Sequence, residues 1–282
     1  MRFVTFNVLN GRPMRDGRPV DGFPGGAPAE PLAGAVAALG ADVLALQEVD
    51  RLQERSGAVE QARAAAEAMG ARDWRYAAAL HGRPVPGKGW VLDPGAPRLR
   101  MYGPGDAAAP GDTPSHGVAL LTRLPVRAWR ARRLEPAPLK LPLRIPGRPG
   151  LTLIRDSPRA ALAAVLDGER GPFTVVALHL SFVPGRNAAQ LLTLRRWIAD
   201  LPRPHLLLGD FNLVAALPRT VLNATGPGWR DLARTPTYPS HRPRVQFDHI
   251  LSTGLSAARH PVRWSTPRSP VSDHRPLVVD LD

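Results

Sequence analysis

The sequence predicts an α+β sandwich built from mixed β-sheets, carried by one domain over residues 1–282. Three observations lead there. Arg2 to Phe6 and Asp42 to Gln47 are short, nearly continuous apolar runs bounded by polar or turn residues, the pattern of strands buried on both faces. Alanine- and leucine-rich stretches with helical spacing stand between some of these runs. Many other apolar runs are joined by segments too short for a helix, so hairpins must mix with crossovers and the sheets cannot be purely parallel.

In chain order, the Arg2 to Phe6 strand leads to a helix over Pro31 to Leu39, alanine-rich and closed by Gly40, before Asp42 to Gln47 returns as a strand. A second helix is expected from Ala58 to Met69, ending at Gly70. A third is expected from Asn187 to Leu201, where Leu191, Leu194, Ile198 and Leu201 recur at helical spacing beside Trp197. Further strands are expected at Trp74 to Leu80, Gly117 to Thr122, Ala160 to Leu166, Thr174 to Leu178, His205 to Leu208, Phe247 to Leu251, Val262 to Trp264 and Pro276 to Leu281. His81 to Ser115 and Glu135 to Ser157 are crowded with proline and glycine, which interrupt helices and ladders alike. Both are expected as surface loops, and loops of that length border active sites often enough to expect one of them there.

With 44% hydrophobic residues the chain has ample material for a core. It holds no apolar run near the ~18 residues of a spanning helix, so no stable membrane insertion is expected. Met1 to Phe6 enters a strand at once, without the charged leader or apolar core of a signal segment, which makes the cytoplasm the default expectation. The absence of cysteine excludes disulfides, thiolate metal sites and cysteine nucleophiles. A formal charge of +13 surrounds the chain with a positive field that would attract a phosphorylated anionic substrate, with nucleic acid among the candidate partners. A competing reading is compositional. Lys88 and Lys140 are the only lysines, and the remaining basic residues are arginines in an Ala/Pro/Gly-rich sequence, a bias that genome base composition can produce.

A set of short patterns carries the chemistry: Thr5-Phe6-Asn7, Leu46-Gln47-Glu48, Leu178-His179-Leu180, Gly209-Asp210-Phe211-Asn212, Phe247-Asp248-His249 and Ser272-Asp273-His274. In each, a strand-like apolar run ends in a carboxylate, an amide or an imidazole, which is how a sheet presents reactive groups at one edge. Asn7, Glu48 and Asp273 together supply the hard oxygen donors that Mg²⁺ prefers. Gly209 permits a turn after His205 to Leu208, so that Asp210 and Asn212 leave the strand end together. Asp210 can then orient or deprotonate a water, while Asn212 donates to a phosphoryl oxygen or to the Asp210 carboxylate. His179 and His274 are placed to grip one phosphate, and Asp248 pairs with His274, fixing its tautomer and favouring its cation. Taken singly, each residue has an ordinary structural explanation as a turn former or a hydrogen-bonded core group.

In order and spacing, Asn7, Gln47-Glu48, Arg159, His179, Asp210 with Asn212, Asp248 and Ser272-Asp273-His274-Arg275-Pro276 together resemble the endonuclease/exonuclease/phosphatase superfamily of deoxyribonuclease-like, metal-dependent phosphoesterases. The resemblance implies a four-layer α/β/β/α sandwich with two packed mixed β-sheets. It also implies hydrolysis of a phosphodiester or phosphomonoester by in-line attack of water, and Mg²⁺ or Mn²⁺ held chiefly by Glu48 with Asn7 and Asp273. The catalytic set would be His179, Asp210, Asn212, Asp248 and His274, with Arg159 binding substrate; either Asp210 or the Asp248 and His274 pair can serve as base. Leu9 stands where apurinic-site endonucleases of the superfamily carry an aspartate. The segment Gln47 to Arg51, with Arg55-Ser56-Gly57 and Glu60-Gln61, is similar to a broad bacterial branch with sphingomyelinase-like and phosphatase-like members. A DNA-processing endonuclease or exonuclease is the alternative, and a non-catalytic phosphate-binding scaffold a third reading, against which the retention of every expected polar position argues. Among the tryptophans, Trp90 in its Pro/Gly stretch is expected at the rim of the site and the others in the core.

Overall fold

The computed structural model describes residues 1–20, 22, 27–85, 88–138, 140–143, 150–256 and 261–282. Two large mixed sheets face each other, and helices cover their outer faces, giving the α/β/β/α layering of the expected α+β sandwich. The first sheet runs in the order Pro261–Ser265, Leu277–Leu281, Arg2–Asn7, Val43–Arg51, Ser115–Thr122 and Asp73–Val85, with the short strands Gly89–Leu92 and Arg100–Tyr102 paired to the last. The second runs Arg230–Asp231, Asp248–Thr253, His205–Asp210, Gly171–His179, Arg159–Gly168 and Val126–Leu134. Arg2–Asn7 pairs parallel with Val43–Arg51, and Gly171–His179 parallel with His205–Asp210, while the hairpin partners are antiparallel.

Strand alternation decides what each residue faces. Phe3, Val43, Ala45, Val118 and Leu120 point inward to meet Leu162, Ala164, Val175, Ala177, Leu206, Leu208 and Ile250 of the second sheet. Val4, Phe6, Leu44, Leu46, Ala119 and Leu121 point outward beneath the helices Glu30–Ala37 and Gln61–Met69. Val176, Leu178, Leu207 and Leu251 meet Leu191, Leu194 and Ile198, and the helix Leu217–Asn223 adds Leu222. Carried to the strand ends, the same alternation turns Asn7, His179, Asp210 and Asp248 toward the space between the sheets.

The structure departs from the expected elements in several places. His81 to Ser115 is not a loop throughout: the Asp73 strand continues to Val85 and turns into Gly89–Leu92, with Arg100–Tyr102 on its other side. Glu135 to Ser157 likewise contains the two-stranded ribbon of Lys140–Leu143 and Thr152–Arg155. Proline is tolerated because these are edge or free-standing strands, where a missing N–H need not break a central ladder. Val126–Leu134 escapes the sequence pattern because its arginines hide the alternation of an edge strand. Trp264 is exposed on the edge strand Pro261–Ser265 rather than buried, whereas Trp74 and Trp229 are core. His260 lies outside the described residues. No described helix is long and apolar enough to cross a membrane.

Candidate active site

Three neighbouring strands of the second sheet end in one row, because His179 pairs in register with Asp210, and Asp210 with Asp248. Gly209 does not form a turn, as its place in the sequence suggested. It lies inside the ladder, where an added Cβ would stand 2.0 Å from the Leu178 carbonyl oxygen, so its absent side chain lets the strands approach. The turn comes at Asn212, in the left-handed region at φ 48. There its backbone N–H donates to Asp210 Oδ1 at 2.9 Å. The Asn212 side chain does not reach that carboxylate: its Nδ2 donates to the Leu180 carbonyl at 3.0 Å and locks the turn.

Asn7 arrives from the opposite sheet. Its Nδ2 donates to Asp210 Oδ2 at 3.0 Å and to Glu48 Oε1 at 3.2 Å, while its Oδ1 accepts from the Leu9 N–H at 3.1 Å. Glu48 does not close its strand as the sequence suggested. The strand runs on to Arg51, and Glu48 occupies a β-bulge, with φ 57 and a register shift between Leu46 and Val49 against Ala119 and Gly117. A bulge adds one residue, bends the strand and re-aims a side chain, and here it turns a carboxylate toward Asn7. Positive φ at a non-glycine residue is a conformation usually retained where function needs it.

Asp248 Oδ2 accepts from His274 Nδ1 at 2.8 Å and from the Thr237 hydroxyl at 2.6 Å, while its buried Oδ1 has no hydrogen-bond partner among the described residues. His274 is positioned by Ser272, whose hydroxyl donates to the Asn7 carbonyl at 2.6 Å and accepts from the His274 N–H at 3.0 Å. Tyr238 packs on the His274 ring at 5.0 Å between centroids. The Nε2 atoms of His274 and His179 lie 3.9 Å and 3.7 Å from Asp210 Oδ2. Arg159 Nη1 is 3.2 Å and 3.3 Å from the two ring nitrogens of His179.

Burial pushes the Asp210 carboxyl up to about 7; the nearby Asp248 charge adds to the rise, and His274 and the bonds from Asn212 and Asn7 oppose it. His274 moves the other way against its own desolvation: the charge and hydrogen bond of Asp248, with Asp210 and Asp273, raise it to about 10 and keep it cationic. His179 is held neutral, well below the usual imidazole range, by burial and by the positive charges of Arg159, His116 and His274. Two neighbouring imidazoles are therefore driven apart, one charged and one neutral, which is the separation acid–base sites use.

Asp273 is half-buried beside this group. Burial raises its carboxyl, and the Glu48 and Asp248 charges raise it further against the pull of His274. Among the described residues neither Glu48 nor Asp273 forms an ion pair with lysine or arginine. A carboxylate pair with an amide oxygen close by, lacking a basic partner, suits a hard divalent cation, so Glu48, Asp273 and Asn7 could hold one. Asp210, Asp248 and His274 also bring ligand atoms within 4.8 Å of one another. We read those three differently, because the bond from His274 Nδ1 to Asp248 Oδ2 and the raised His274 imidazole favour a proton, and a cationic ring there opposes a second cation.

One group carried no assigned role in the sequence beyond the resemblance of Gln47 to Arg51 and Arg55-Ser56-Gly57. Asp50, fully buried, accepts from Arg55 Nε and Nη2, each at 2.8 Å, from the Ser56 hydroxyl at 3.0 Å and from His116 Nδ1 at 2.7 Å. His116 lines a small space with Arg159 and His179. His116 left only a faint trace in the sequence, the polar pair Ser115-His116 opening an apolar strand, a weaker mark than an imidazole at a strand's end.

A family model described as "Endonuclease/Exonuclease/phosphatase family" matches residues 4–274. The chain belongs to that family. Solved structures agree in fold. A family protein from Leptotrichia buccalis is 16% identical with a TM-score of 0.63, over 100% of this chain and 99% of that one. The Bacteroides thetaiotaomicron mannosyl-6-phosphatase Bt3783 is 15% identical with a TM-score of 0.61, over 100% and 99%. TDP2 of D. rerio, solved with a single-strand DNA product, is 14% identical with a TM-score of 0.56, over 100% and 98%. A search of the curated proteins found no match.

Proposed function

We propose that the chain hydrolyses a phosphoester, diester or monoester, by in-line attack of water. The observation that carries this reading is the Asp210 carboxylate between two imidazoles of opposite character, Nε2 of neutral His179 at 3.7 Å and of cationic His274 at 3.9 Å. A carboxyl raised to about 7 is matched to taking a proton from water near neutral pH. Asn7 and the Asn212 backbone hold it in place, and because water itself is the nucleophile no covalent intermediate is required. His274, charged and fixed by Asp248, stabilises negative charge on a phosphoryl oxygen, and His179 donates a hydrogen bond to another. Arg159, half-buried beside His179, adds a fixed positive charge at the same face.

Glu48, with Asn7 and Asp273, would hold Mg²⁺ or Mn²⁺, which when bound supplies Lewis-acid neutralisation of charge at the phosphoryl and leaving oxygens. A DNA-processing reading draws on the +13 charge and on the fold shared with a protein solved with a DNA product. The test is a hydrolysis panel with and without divalent metal, spanning plasmid DNA, bis-p-nitrophenyl phosphate, sphingomyelin and inositol phosphates, with Asp210→Ala and His274→Ala as controls. Metal-dependent turnover of one class, silent in both variants, is the expected result; turnover untouched by either substitution refutes the assignment.

A further inference from the structure

Next to this site lies an open cleft of about 900 Å³, the size of an ordinary small-ligand site, that the hydrolytic chemistry leaves unused. One wall is the hairpin of Asp73–Val85 with Gly89–Leu92, the other the ribbon of Lys140–Leu143 with Thr152–Arg155. Both of the chain's lysines, Lys88 and Lys140, line it, together with Arg55 and Arg155. In a chain whose basic residues are otherwise all arginine, that coincidence is not explained by composition. Lys88, Lys140 and Arg155 are exposed and make no ion pair among the described residues.

The inner end of the cleft is built rigidly. Trp90 lies 5.2 Å from the His116 ring and 5.2 Å from the Arg55 guanidinium carbon. Both partners are tied to buried Asp50, at 2.7 Å for His116 and 2.8 Å for Arg55. Because the carboxylate accepts from His116 Nδ1–H, Nε2 is left free. Pro158 lines both this cleft and the small space where His116 meets Arg159 and His179. The cleft therefore opens toward the phosphate-handling face.

Resting on the hydrolase reading, we propose that this cleft binds a second phosphate of the substrate, so that the natural ester carries at least one phosphate beyond the one cleaved. Ammonium groups and a guanidinium that have no ion-pair partner among the described residues, set around an aromatic floor, form an anion receptor. The chemistry is common to a nucleotide bearing an added phosphate and to a polyol bisphosphate, and ligand pairs separate the two sources.

The experiment compares binding of p-nitrophenyl thymidine 5′-phosphate with that of the same compound 3′-phosphorylated, by calorimetry in Mg²⁺ buffer. It uses Asp210→Asn protein with and without Lys88→Gln/Lys140→Gln, and an inositol monophosphate and bisphosphate form the second pair. In at least one pair the doubly phosphorylated member should bind ten-fold or more tightly, and the lysine replacements should reduce that preference to two-fold or less. Preference only in the nucleotide pair or only in the inositol pair identifies the source. Equal affinity within both pairs, or a preference that survives loss of both lysines, overturns the proposal. Failure of the hydrolase reading registers separately, as wild-type protein that cleaves none of these esters while the binding preference persists.

Discussion

The fate of a proton at Asp210 depends on very few neighbours, and substituting them singly gives signed expectations. Asn7 donates to Asp210 Oδ2 at 3.0 Å and lowers its carboxyl, so Asn7→Ala should shift the acidic limb of the kcat/KM profile to higher pH. In the unsubstituted enzyme that limb should lie near pH 7, where Asp210 loses its proton, and activity should fall again as pH passes about 10 and His274 loses its charge. An alkaline limb unmoved by Asp248→Asn would remove the Asp248–His274 pair from the mechanism. With the pair acting as described, that variant should lose roughly 10²–10⁴ in kcat. These positions were legible in the sequence as a set, because histidines and aspartates recur at the ends of several apolar runs, although each alone has an ordinary structural explanation. Asn212 was legible as a position and misread in its contact, since a sequence does not reveal which atom of an asparagine faces a neighbouring strand.

At the level of strands and turns, the site depends on backbone fit. Gly209→Ala would drive a methyl within 2.0 Å of the Leu178 carbonyl, and parting those two strands should cost about 1–3 kcal/mol in denaturant unfolding. Asp50 joins the turn Glu54–Ser56 to the strand Ser115–Thr122. Burial opposes its charge, but the bonds to His116 and Arg55 outweigh that and hold its carboxyl below the usual range. Its contribution to stability is therefore present at neutral pH and lost as pH falls through that lowered value. Asp50→Asn, measured by urea titration at pH 7, should cost about 3–5 kcal/mol and flatten the acid dependence. The central strands and the helices near residues 30, 60 and 190 were readable because apolar periodicity there is strong. The bulge at Glu48 was not, since no composition marks an extra residue in a ladder, and the hairpins within 81–115 and 135–157 were masked by prolines that edge strands tolerate.

Over the whole molecule, the +13 charge predicts that binding of any polyanion falls steeply with salt, measurable as a negative slope of log affinity against log salt between about 50 and 200 mM. A flat slope would return the charge to composition alone. The Asn7 bond to Asp210 spans the two sheets, one of which supplies the amide and the other the reactive carboxylate. On the proposed mechanism, turnover would be a property of the seam and belong to neither leaf. A slight parting of the leaves on warming would silence the enzyme while each leaf kept its own ladders, so turnover should vanish some degrees below the loss of far-ultraviolet dichroism.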